Sequence, residues 1–185
     1  VTGGAGATTV VLSDSTTIGT VLTGGAGVDT FTGTGGNDIF HGGSADVLTG
    51  NSGADTFNFA AAVTSGTVVG GAGADTITFS GATNTITVND ATVAITGGTG
   101  VDTITFDTTV ATAVTVTGGT GADVITLVAG TNAGVVINDS DGFTLTGGTV
   151  NTVNFVNSNA GLTATSITGG SGIDTYTFGT GSNVA

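Results

Sequence analysis

The side chains of this chain that could do chemistry are 13 aspartates and one histidine, His41; there is no Glu, Cys, Lys or Arg. The aspartates follow glycines in a fixed order. Gly-Gly-x-Gly-x-Asp reads Gly24 to Asp29, Gly70 to Asp75, Gly97 to Asp102, Gly118 to Asp123 and Gly169 to Asp174. Two further copies are degenerate: Gly3 to Thr8 has Thr for Asp, and Gly147 to Asn151 is one residue short and carries Asn. Glycine permits positive φ, so such a turn can be tight and aim its carbonyls at one point. Hard carbonyl and carboxylate oxygens suit Ca²⁺, which takes six to eight of them.

Spacing divides the aspartates. Asp29, Asp38, Asp46 and Asp55 follow one another at 9, 8 and 9 residues, through Gly33-Thr34-Gly35-Gly36-Asn37-Asp38, the shortened Gly42-Gly43-Ser44-Ala45-Asp46, and Gly50-Asn51-Ser52-Gly53-Ala54-Asp55. Nonapeptide spacing is a signature of calcium-binding β-helical repeats. The later steps, from Asp55 to Asp75, Asp102 and Asp123, are 20, 27 and 21. They predict one motif per coil, with long and short coils alternating. Val88-Asn89-Asp90 and, 49 residues on, Ile137-Asn138-Asp139 mark the long ones.

The elements that must position these turns are strands. Thr76-Ile77-Thr78-Phe79 and Thr103-Ile104-Thr105-Phe106 alternate with period two, apolar residues one way and Thr the other. A strand is expected after each motif Asp and another before each Gly-Gly, with a short third strand at Thr85 to Val88 in a long coil. Phe31, Phe57, Ile77, Ile104, Ile125, Val153 and Tyr176 would then form one inner ladder, because no coil can bury its apolar face alone. The outward pairs Thr30/Thr32, Thr76/Thr78, Thr103/Thr105 and Thr175/Thr177 would stack as one flat face. The fold expected is all-β: a right-handed parallel β-solenoid (β-roll or β-helix) of seven or eight coils with little or no helix. It forms one domain over residues 1–185, with the nonapeptide block at about 24–58.

Stacked coils set equivalent aspartates about 4.8 Å apart. Two such charges repel by about 3–4 kcal/mol at an effective dielectric of ~20. No Lys or Arg is available to neutralise them, so a divalent cation is the simplest remedy, and it would be coupled to folding.

Gly33 to Phe40 and the five full Gly-Gly-x-Gly-x-Asp copies resemble the RTX, or hemolysin-type calcium-binding repeat, family, over about Gly3 to Phe178. The resemblance implies Ca²⁺ held by the motif aspartates and neighbouring carbonyls in a parallel β-roll, and export by type I secretion to fold outside the cell. The Thr- and Ala-rich texture is also similar to bacterial surface-layer proteins. The metal residues expected are Asp29, Asp38, Asp46 and Asp55, then Asp75, Asp102, Asp123 and Asp174. The spacing of these last four departs from the family pattern, so there the motif either binds calcium or only caps a turn. Asp139-Ser140-Asp141-Gly142 resembles part of a calcium loop but lacks the Glu of an EF-hand. Asp139, Asp141, Asp90 and Asp14 are turn residues or lateral calcium sites.

Other chemistries lack parts. His41 has no Cys, Glu or second His to join it and is expected as an exposed turn residue. Gly-Gly-x-Gly as a phosphate loop needs a following helix and usually a Lys. Carboxylate pairs arise by chance among 13 repeated aspartates, so an enzyme is not expected. A formal net charge of −13 argues against nucleic acid and anionic membranes. A mean hydropathy of +0.45 with 7% charged residues argues against a disordered acidic tail. No apolar run reaches transmembrane length. The chain opens inside a repeat and is expected to be a segment of a larger protein.

The function expected is a secreted, cell-surface structural repeat, made rigid by calcium and self-associating into a surface layer or filament. The alternatives are an ice- or polysaccharide-binding adhesin segment and the passive repeat domain of a secreted enzyme.

Overall fold

A computed structural model describes residues 1–12, 18–81, 83–110, 114–139, 141–156 and 166–179; Asp14 and Ser140 lie outside them. Among the described residues there is no helix. Eighteen strands alternate between two sheets, each strand pairing in parallel with the next but one. The first sheet holds β1 (Thr9–Val11), β3 (Thr30–Thr32), β5 (Val47–Ser52), β7 (Gly66–Ala72), β9 (Asn84–Asn89), β11 (Asp102–Phe106), β13 (Asp123–Thr126), β15 (Phe143–Thr146) and β17 (Ser166–Thr168). The second holds β2 (Val21–Thr23), β4 (Ile39–Gly42), β6 (Thr56–Phe59), β8 (Asp75–Phe79), β10 (Val93–Thr96), β12 (Val114–Thr117), β14 (Thr131–Asn138), β16 (Val150–Phe155) and β18 (Thr175–Phe178). The chain is a β-solenoid of about eight coils.

Every coil has two strands, which corrects the expected alternation of long and short coils. Thr85 to Val88 lies within β9, a full member of the first sheet paired with β7 and β11. The 27-residue step from Asp75 to Asp102 therefore covers one and a half coils and changes edge. Equivalent core positions lie from 17 residues apart (Phe40 to Phe57) to 23 (Val153 to Tyr176).

The expected single inner ladder is in fact two, because the motif strands are shared between the sheets. Phe31, Leu48, Val68, Val88 and Phe106 run up the first sheet. Phe40, Phe57, Ile77, Ile95, Val116, Ile137 and Phe155 run up the second. All of these are buried, and they meet in one core. Parallel register stacks like on like: Phe40 on Phe57 at 4.8 Å and Phe155 on Phe178 at 4.9 Å between ring centroids, within the range of favourable aromatic pairs.

The outward threonines divide in the same way, which corrects the single flat face. Thr30/Thr32 and Thr103/Thr105 stand on the first sheet, Thr76/Thr78 and Thr175/Thr177 on the second. The first sheet carries an in-register column of Thr9, Thr30, Val47, Thr67, Thr87, Thr105, Thr126, Thr146 and Thr168. On the second, the matching column mixes Val21, Ile39, Thr56, Thr76 and Ala94. His41 is not in a turn. It lies in β4, exposed, between Thr23 and Asn58 on the outer face of the second sheet.

Candidate calcium turns

Where the chain passes from one sheet to the other, the motif Asp stands at or just before the start of the next strand, with its side chain turned inward. Asp29, Asp38, Asp46, Asp55, Asp75, Asp102 and Asp123 are all at most 2% exposed. They form two columns, one on each edge of the solenoid. On one edge the N–H of Thr8 donates to Oδ1 of Asp29 (2.7 Å), and that of Asp29 to Oδ1 of Asp46 (2.8 Å). Higher on this edge Asn84 donates to Asp102 (3.0 Å) and Asp102 to Asp123 (2.8 Å). On the other edge Asp38 donates to Asp55 (2.7 Å) and Asp55 to Asp75 (2.7 Å). Asn151 follows, donating to Asp174 (2.9 Å). Each carboxylate thus ties its coil to the preceding one through a charge-assisted hydrogen bond.

The second oxygen, Oδ2, separates the turns into two kinds. In the first kind it accepts an N–H from within its own turn: Gly25 to Asp29 (2.7 Å), Thr34 to Asp38 (2.7 Å), Gly43 to Asp46 (2.5 Å) and Gly98 to Asp102 (3.0 Å). These are closed turns, with both carboxylate oxygens satisfied by backbone. In the second kind the residue after the first glycine has positive φ: Asn51 (78°), Gly71 (107°) and Gly119 (103°). That N–H is not given to the aspartate, and Oδ2 of Asp55, Asp75 and Asp123 is buried without a partner. These are open turns.

Two more bare oxygens complete the open turns. Val69 pairs with Asn89 and Thr117 with Asn138, so Asp90 and Asp139 lie one coil above Gly70 and Gly118. Each caps its own tight turn through Oδ1, accepting the N–H of Thr92 (2.7 Å) or Asp141 (3.0 Å). Their Oδ2 atoms are buried and unpartnered. A Cβ on Gly70 would collide with Oδ2 of both Asp75 and Asp90; one on Gly118 would collide with Oδ2 of both Asp123 and Asp139. Each pair therefore fills the space that glycine leaves.

Burial drives the electrostatics. It pushes the Asp90 carboxyl up to about 7, with Asp75 adding to the rise. It pushes Asp123 up to about 7, with the charges of Asp139 and Asp102 adding. Asp55 rises to about 6, again by burial and then by Asp75 and Asp38. Asp139 is raised by burial and by Asp141. Buried like charges either take up a proton or need a cation.

Four stretches of the chain, residues 19–45, 42–61, 65–87 and 113–132, match the model of the RTX calcium-binding nonapeptide repeat. The chain carries RTX calcium-binding repeats. No curated protein and no solved structure is significantly similar to it. The RTX turns bind calcium, and the residues present fit that ion: buried, unpartnered carboxylate oxygens, hard donors only, and no competing cationic side chain. Among the described residues no three metal-ligating side chains gather at one point. The rest of a calcium shell therefore falls to main-chain carbonyls and water.

The expected site residues are thus distributed. Asp29, Asp38, Asp46 and Asp102 are in closed turns. Asp55, Asp75, Asp123, Asp90 and Asp139 present bare oxygens. Asp174 is half-buried, and its Oδ1 also accepts the Asn151 side-chain amide (2.7 Å). Asp141 is exposed, and its Oδ2 reaches only the N–H of Gly121 (3.4 Å).

Asn84 and Asn132 were not singled out from the sequence. Both are fully buried and stand in the columns as neutral members. Oδ1 of Asn84 accepts from Val63 (3.1 Å), and that of Asn132 from Val110 (3.1 Å). A signal exists for the first: Asn84-Thr85-Ile86-Thr87-Val88 copies Asp102-Thr103-Ile104-Thr105-Phe106 with Asn for Asp. No Gly-Gly precedes it. Asn132 has no such signature.

Proposed function

We propose that this chain is a calcium-rigidified structural segment of a secreted, cell-surface protein and that it self-associates into a layer or filament. The observation that carries the reading is the set of buried, unpartnered carboxylate oxygens along both edge columns of a chain without one Lys or Arg. Such a set stands best where divalent cations are abundant, which is outside the cell, and RTX-repeat proteins are typically secreted. No helix of the described residues is long and apolar enough to cross a membrane. Self-association is favoured by the flat outer face of the first sheet, whose in-register, mostly Thr column from β1 to β17 offers a second copy a regular surface to stack on. Electron microscopy and sedimentation of the protein in millimolar Ca²⁺ test this. Ordered sheets or filaments that dissolve in chelator are expected; a monomer at high concentration in calcium overturns the assembly.

A second reading, an ice- or polysaccharide-binding face, rests on the first-sheet column, in which eight of the nine positions are Thr. Thermal hysteresis in solution is its test for ice, and none is expected if the role is purely structural.

A further inference from the structure

The two tight turns after β9 and β14 lie outside the nonapeptide pattern, yet they make the same arrangement twice. Asp90 and Asp139 occupy the register position that a first motif glycine fills in the coil below. In each, Oδ1 caps the turn and Oδ2 points down at a motif carboxylate. The partners, Asp75 and Asp123, also spend Oδ1 on backbone, accepting from Asp55 and Asp102. All four side chains are at most 4% exposed, and all four Oδ2 atoms lack a partner. The space between each pair exists because Gly70 or Gly118 has no side chain. Four buried oxygens aimed in twos into gaps with no donor point to a ligand that supplies positive charge.

We infer that Asp75 with Asp90, and Asp123 with Asp139, form two equivalent divalent-cation sites of a kind separate from the nonapeptide turns, each joining one motif turn to a short turn of the next coil. The donors are hard oxygens, so the ion class is calcium. This rests on the reading of the chain as a calcium-binding solenoid. It adds that the turns lacking the motif supply ligands, and that the cation fastens coil to coil at two points along the stack. Closed turns such as Asp29 or Asp102 would have to release a backbone N–H before offering the same oxygen, so the open pairs take the ion first.

The structure also shows what an amide does in such a place. The side-chain amide of Asn84 donates to Oδ1 of Asp102 (2.7 Å), and that of Asn151 to Oδ1 of Asp174 (2.7 Å). Asp90→Asn and Asp139→Asn should therefore give the facing carboxylate a donor and leave no charge pair for a cation.

The test is calorimetric titration of Ca²⁺ into the full chain, with circular dichroism in chelator alongside. For the D90N/D139N protein the expected result is a loss of about two calcium equivalents per chain, taken from the tightest class, and a higher melting temperature in chelator than the unaltered protein. Asp107→Asn, at an exposed position, should keep the full stoichiometry. Unchanged stoichiometry in D90N/D139N, while the unaltered chain binds calcium, overturns this inference alone. A double variant that fails to fold overturns it too, since the pair is then a structural contact. If the unaltered chain binds no calcium, the calcium reading itself falls.

Discussion

Closed and open turns are built from nearly the same sequence, and they leave their aspartates in opposite conditions. Gly24 to Asp29 and Gly70 to Asp75 differ only at their fifth residue, Val28 against Ala74. In the first, Gly25 gives its N–H to Asp29. In the second, Gly71 sits at φ 107°, and its ladder partner Asn51 sits at 78°. There the strands continue past the first glycine, since β5 and β7 stay paired at Asn51–Gly71 and Ser52–Ala72. At Asp29 the turn closes on its own carboxylate, which serves as a cap; at Asp75 the turn has been drawn into the ladder, and its carboxylate is left a ligand waiting for charge. The nonapeptide block, where spacing argues most strongly for calcium, contains mostly the first kind.

Removing calcium should separate the two kinds most. In chelator above about pH 7 the open turns hold buried charges with neither proton nor metal, so the whole solenoid should lose several kcal/mol and much of its β circular dichroism. An unchanged spectrum in excess chelator would show that the open oxygens are not cation-dependent.

The next largest contrast is between two isosteric substitutions. Asp38→Asn puts an amide against the Thr34 N–H that Oδ2 now accepts, so two donors face each other. That should cost about 1–3 kcal/mol with or without calcium. Asp123→Asn instead points its amide at the bare Oδ2 of Asp139. In chelator it should stabilise by about 1 kcal/mol, and in calcium it should destabilise. Equal losses for both variants in chemical denaturation would erase the distinction between the turns.

The same burial also sets a pH slope. Asp90 and Asp123 titrate at about 7 and Asp55 at about 6 in the folded chain, above the ordinary 3.8. A folded-state value raised in this way contributes stability at low pH that is lost as pH rises through 6 to 7. In chelator the melting temperature should fall between about pH 4 and about pH 8; saturating calcium should flatten the fall. A rise over that range would overturn the raised values at the open turns.

Much of this was legible in the sequence, for reasons that particular residues show. Ile77 and Phe79 alternate with Thr76 and Thr78, and period two can only serve a strand with one buried face. Gly-Gly-x-Gly-x-Asp fixes where the chain turns, because few other residues take the backbone that Gly71 and Gly119 adopt. Absence of Lys and Arg fixes that no Lys or Arg side chain balances the carboxylate charge, so a balancing cation comes from outside the chain.

What sequence could not decide is which strand meets which. The 27 residues from Asp75 to Asp102 fit one long coil or one and a half ordinary ones; only the pairing of β9 with β7 and β11 chose the second. That choice divided the ladder, moved half of the threonines to the other sheet and brought Asp90 over Asp75. Register is a long-range property of stacked coils, and a partner 15 residues away in sequence is found only once the coils are stacked. Sequence determined that aspartates would line the edges of a β-solenoid. Tertiary structure decided which of them are already satisfied by backbone and which still need an ion.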